Sequence, residues 1–183
     1  LEQGVVRAPN VWRLWQLLGN CYSDAGRFDE CHEAYGRALE CPDVDTSSVH
    51  LNSAIALMRQ EKLTDALSHL KHVGTAECGL DGVGLRLEIF NRLAWYDQAM
   101  DLANRVLRRH GSVLPDLDRE GRQALARVHS ELGIALWEGK QDRDGALECA
   151  WRALAAFKSE YSAMWLVREL SGAPSATAKY YHV

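Results

Sequence analysis

Apolar residues recur along this chain at the helical spacing of three and four, and strict alternation of the kind that marks a half-buried strand is absent. The four prolines, Pro9, Pro42, Pro115 and Pro174, each fall where a helical pattern stops or has not begun. Proline ends helices because it lacks an N–H and clashes with the preceding turn. The pattern predicts antiparallel helix pairs over roughly 12–25 with 28–41, 47–60 with 63–73, 83–93 with 96–110, and 118–138 with 142–157. A further helix is expected over 159–170, where Ala163, Leu166, Val167 and Leu170 share a face. The glycine-rich stretch 79–86, "GLDGVGLR", lacks the lysine and preceding strand of a phosphate loop and reads as a turn between pairs.

The first pair carries the most informative stretch. Trp15, Leu18, Gly19 and Tyr22 follow W-x2-L-G-x2-Y; Gly26, Phe28, Asp29 and Glu30 come next, then Tyr35, Ala38, Leu39 and Glu40. The set resembles the tetratricopeptide repeat, a helix–turn–helix unit of about 34 residues. Cys31 is the clear departure, standing where that family usually has alanine between the two helices. Weaker copies place Ala54, Leu57, Ala66 and Leu70, then Leu87, Phe90, Ala99 and Ala103, then Gly133, Leu136, Ala146 and Ala150 at the positions of Gly19, Tyr22, Cys31 and Tyr35. The last copy has one extra residue in its turn. Repeats of this size cannot bury their apolar faces alone and must stack.

The resemblance implies an all-α fold: a right-handed superhelical array of about four helix–turn–helix pairs plus a C-terminal capping helix. The repeats would span about 12–45, 47–80, 80–113 and 118–157. The capping helix would occupy 159–170, after an N-terminal extension 1–11 and before a linker or tail 171–183. Met164 and Trp165 are expected to tuck against the last pair.

It also implies a concave groove lined by the first helix of each pair, where this family binds an extended peptide or a partner helix. The groove would receive Arg13, Gln16, Leu17 and Asn20, then Leu51, Asn52, Ile55 and Arg59, then Leu85, Arg86, Glu88 and Arg92, and finally Arg127, Glu131 and Trp137. Leu17, Leu51, Ile55, Met58, Leu85, Ile134 and Trp137 would form an apolar floor. Some relatives grip the carboxylate tail of chaperones with two lysines, two asparagines and an arginine. Asn20, Asn52 and Arg86 match that spacing, but Gln16 and Gly82 replace the lysines that carry most of the charge. A backbone-reading role for the two asparagines is the better expectation.

Charge and chemistry narrow the picture. The net charge is −4 and the pI about 6.0, against the strong basic excess of nucleic-acid domains. The basic run 105–111 with Arg119, Arg122 and Arg127 has no interleaved aromatics, so nucleic acid is not an expected partner. No apolar run nears the roughly 18 residues that span a bilayer, and "LEQGVVRAPN" has no signal-peptide pattern. Five cysteines without dense spacing favour a reducing, cytoplasmic setting. Cys21, Cys31 and Cys41 stand ten residues apart, too far for the short spacings of zinc sites, and read as small buried hydrophobes. His69 and His72 share a helix face, but no obvious further ligand follows, so a solvated face is expected. No catalytic motif, cofactor or metal site is expected. The functional expectation is a protein–protein interaction module, monomeric or weakly self-associating. The alternative is a regulatory or substrate-docking part of a larger enzyme.

Overall fold

The computed structural model describes residues 1–73, 79–110 and 117–172. Among these there are helices and turns but no strand. The order is α1 (Glu2–Arg7), α2 (Trp12–Asp24), α3 (Phe28–Leu39), α4 (Thr46–Arg59), α5 (Leu63–His72), α6 (Gly79–Arg92), α7 (Tyr96–His110), α8 (Arg119–Lys140), α9 (Arg143–Ala156) and α10 (Tyr161–Leu170). This is an all-α helical repeat array. It divides into two compact units, Leu1–Gly82 and Val83–Val183. The glycine-rich stretch expected to be a turn is instead the start of α6. Burial explains the difference, because Val83, Leu85, Leu87 and Ile89 are all buried apolar residues of one helix. Two glycines before them are not enough to break it. The tail from residue 173 onward, expected to be a linker, lies outside the described residues.

Three helical turns share one set of hydrogen bonds, and a fourth varies it. Arg27 N–H donates to Tyr22 O at 2.8 Å, Lys62 N–H to Leu57 O at 3.0 Å and Trp95 N–H to Phe90 O at 2.7 Å. A second bond lies inside each: Gly26 N–H to Ser23 O, Glu61 N–H to Met58 O, and Ala94 N–H to Asn91 O, at 3.0–3.1 Å. This 6→1 plus 5→2 pair is the Schellman arrangement, which satisfies the last carbonyls of a helix and needs a left-handed residue just past its end. Gly26, Glu61 and Ala94 have φ of 72°, 59° and 57°. The fourth turn is one residue longer: Asp142 N–H reaches back to Leu136 O at 3.1 Å, and Gln141 takes the left-handed place at φ 56°. Asp142 then caps α9, its carboxylate accepting from Gly145 N–H at 3.0 Å.

Small residues set the spacing within each pair. Cys31, Ala66, Ala99 and Ala146, at equivalent places early in α3, α5, α7 and α9, all have 0% exposure. Cys31 therefore takes an alanine's place as packing. A Cβ on Gly19 would lie 2.6 Å from the Tyr35 ring, and one on Gly133 2.8 Å from Leu166. In the first unit Tyr35, Ala38, Val49 and Ala56 pack together with Trp12, Trp15 and Tyr22 against them. In the second, α10 closes the apolar side of α8 and α9 through Ala163, Leu166 and Leu170, with Trp165 half-buried beside them. The Arg143 guanidinium donates to Leu170 O at 2.9 and 2.6 Å and so satisfies the end of α10. Met164, expected to tuck in with Trp165, is instead 52% exposed.

Candidate binding faces

In the first unit the expected groove residues lie on α2 and α4. Arg13, Gln16, Leu17 and Asn20 follow the i, i+3, i+4, i+7 spacing of one helix face. Polar bridges tie that face to α4. Gln16 Nε2 donates to Ser48 Oγ at 2.7 Å. Arg59 Nη1 donates to Ser23 Oγ at 3.1 Å and Asp24 Oδ1 at 2.6 Å. Leu17 is 48% exposed; Leu51, Asn52 and Ile55 are half-buried, and Arg13 is exposed with its guanidinium 5.2 Å above the Trp12 ring. Met58, expected on the apolar floor, is buried. Asn20 Oδ1 accepts from the Tyr35 hydroxyl at 2.7 Å. That bond fixes which way the amide points, and its nitrogen becomes the donor edge.

The second unit uses the same helix positions differently. Glu88 takes Arg92 at 3.7 Å and a close ion pair from Arg127. Gly84 makes room for this: a Cβ there would lie 2.8 Å from Arg127 Cδ. Burial alone would lower the Arg127 pKa, but Glu88 and Glu131 outweigh it, and the guanidinium holds its proton more tightly than usual. Glu131 is 2% exposed. Burial first, and the like charge of Glu88 second, push its carboxyl up to about 8, against the Asn91 hydrogen bond and Arg127. Asn91 Nδ2 donates to both Glu131 O and Glu131 Oε2 at 2.9 Å, while Asn91 Oδ1 is buried with no hydrogen-bond partner among the described residues.

Several expected groove residues are thus internal. Glu131, Leu85 and Ile134 are buried, and Trp137 is half-buried against the α9–α10 core. The physical reason is helix rotation. A 3.6-residue repeat fixes which residues share a face, but not which face looks outward once a neighbour packs. Arg86 is half-buried and has interactions of its own.

A histidine cluster escaped sequence reasoning. His69 and His72 were visible as an i, i+3 pair, but His50 on α4 meets them only through the fold. Cys21 is exposed, while Cys31, Cys41 and Cys149 are buried free thiols.

Paired antiparallel helices with repeated Schellman turns and alanine-lined contacts define a helical-hairpin repeat protein. Residues 12–41, the α2–α3 hairpin, match a family model described as Tetratricopeptide repeat. That hairpin is therefore similar to a tetratricopeptide repeat. No curated protein matches the chain. Repeats of this family are in general protein–protein interaction modules, and their fold is typically non-catalytic. Among the described residues no helix is long and apolar enough to cross a membrane.

Proposed function

We propose that this chain holds an extended peptide or a helical segment of a protein partner, and that the α2–α4 face of the first unit makes the principal contact. The carrying observation is the Asn20–Tyr35 hydrogen bond. It presents an amide N–H edge beside the exposed Leu17, a pairing suited to a peptide carbonyl next to an apolar side chain. Asn52 and Ile55 repeat the same polar–apolar pairing on α4. The chemistry favours recognition of backbone and apolar side chains over recognition of a carboxylate tail, because the cation that bridges the face, Arg59, is already paired with Asp24. Residues 12–170 are read as the array that presents this face, in a monomer or weak homo-oligomer and in a cytoplasmic setting.

A displayed library of random peptides selected on the immobilised protein tests this. Selected peptides should bind the Asn20→Ala, Asn52→Ala double variant at least about tenfold more weakly, the size expected for losing one or two buried hydrogen bonds. Equal binding to both proteins, at unchanged thermal midpoint, removes the α2–α4 face as the binding site.

A further inference from the structure

The α4–α5 hairpin of the first unit brings His50, His69 and His72 together. His50 Nδ1 and His69 Nδ1 are 3.2 Å apart. The His69 ring meets His50 edge-on, with centroids 5.2 Å apart. The His72 ring stacks on His50 at 4.6 Å, tilted by 20°. His50 and His69 are half-buried and His72 is exposed.

A close pair of neutral imidazole nitrogens can share one proton, one ring donating and the other accepting. A metal ion offers a second solution to the same geometry. With metal–nitrogen bonds near 2.0–2.1 Å, two donors of a tetrahedral site stand about 3.3 Å apart. The observed separation matches that edge. Burial also disfavours the charged form of both rings, and it is the neutral imidazole that binds metal. Burial first, then His69 and His72, lowers the His50 pKa. Burial first, then His32 and His72, lowers that of His69, against the nearby Asp65 carboxylate. His32 itself lies with its Nε2 2.9 Å from Gln60 Nε2, so that ring is already engaged by the residue that ends α4.

We propose that His50 and His69 chelate a borderline divalent transition ion such as Zn2+ through their Nδ1 atoms, clipping α4 to α5. Among the described residues no three His, Cys, Asp or Glu side chains surround one point. The site is therefore a two-point chelate, its remaining positions open to water or to a donor from outside the chain. His72 acts as a positioning residue, holding the His50 ring by stacking. Imidazole suits Zn2+, Ni2+ and Cu2+ and discriminates against Mg2+ and Ca2+, which prefer oxygen.

Calorimetry and thermal unfolding of the whole chain with ZnCl2, then with CoCl2, test the proposal. Zn2+ should bind and raise the thermal midpoint, since a ligand of the folded state stabilises it, and EDTA should reverse the rise. His50→Ala and His69→Ala should each weaken binding by about tenfold or more. His72→Ala should weaken it less. The Co2+ complex should show visible d–d bands without a thiolate charge-transfer band, which separates this site from the exposed Cys21. Mg2+ should give no shift. No Zn2+-dependent rise in the wild type, a rise retained in full by both alanine variants, or a thiolate band that survives them would each overturn the proposal. Circular dichroism of the metal-free variants checks that they are folded.

Discussion

Two helix faces built on the same register reach opposite ends. On α2 and α4 the polar side chains make bridges at the surface, leave Leu17 exposed and engage the Asn20 amide through its oxygen. On α6 and α8 the polar side chains turn on one another: Asn91 holds Glu131, and Arg127 holds Glu88. The first face keeps an exposed apolar side chain among its polar bridges; the second is occupied in holding its own helices. Two small residues decide this. Gly84 allows the Arg127 stem to cross α6, and Asn91 gives a buried carboxyl a donor. In a repeat array, groove residues cannot be assigned to recognition from register alone. They must be checked for an internal partner.

The largest test is of the buried side. The Glu131 carboxyl sits at about 8 instead of its ordinary 4.5. Below the ordinary value it is protonated in both folded and unfolded chains and costs nothing. Between the two values the unfolded chain ionises while the folded one keeps its proton. Stability therefore falls as pH rises through that window and stops falling above it. Each pH unit between the two values corresponds to about 1.4 kcal/mol, so Glu131 by itself removes a few kcal/mol between pH 5 and pH 8. His129 works at the other end. Burial first, then Arg152, lowers it to about 4 from 6.5, so its contribution is present above 6.5 and disappears as pH falls through 4. The two slopes offset each other between about pH 4.5 and 6.5, so urea unfolding should give a plateau there and a net fall only from about pH 6.5 to pH 8. Glu131→Gln should flatten the alkaline limb and make the protein more stable than wild type at pH 8 by about 2 kcal/mol or more. An unchanged limb would mean that Glu131 is ionised and paired, and that the two faces differ less than described.

A smaller effect separates two asparagines at related helix positions. Asn91→Ala takes the amide donor from the buried Glu131 carboxyl, and should cost about 2 kcal/mol. Asn52→Ala, on the half-buried outer face, should change stability by no more than about 0.5 kcal/mol. Chemical denaturation of the two variants at pH 6 measures both. Similar costs would show that Asn52 is also structural, and would weaken its place in the binding face.

Much of the fold was legible because its signals are local. Gly19 and Tyr35 announced a close helix approach. Tyr22, Leu57, Phe90 and Leu136, aligned by pattern, are the residues whose carbonyls accept the turn hydrogen bonds. The extra residue before Asp142 showed up as a longer hydrogen-bonded loop. The glycine-rich start of α6 was misread because glycine propensity is weak beside the burial of four apolar residues along one helix. The candidate sites were less legible. Nothing near Glu131 in the chain marks it as buried, because Asn91 lies 40 positions away. His50 is invisible as a partner of His69 for the same reason.

The finest test compares the turns themselves. Gly26 in the first unit and Ala94 in the second occupy the same left-handed place with nearly the same backbone bonds, at φ 72° and 57°. Glycine adopts that conformation without penalty, whereas a Cβ costs roughly 1 kcal/mol. Gly26→Ala should therefore destabilise by about 1 kcal/mol, and no neighbour within 4 Å would add a clash. Ala94→Gly should stabilise by somewhat less, because glycine also loosens the unfolded chain. Thermal unfolding resolves both shifts. Opposite signs would establish that the two units are built on one turn, with the second retaining strain that the first has relieved. If Ala94→Gly destabilises instead, the alanine methyl contributes packing that outweighs its backbone strain, and the two turns are alike in hydrogen bonding but not in energy.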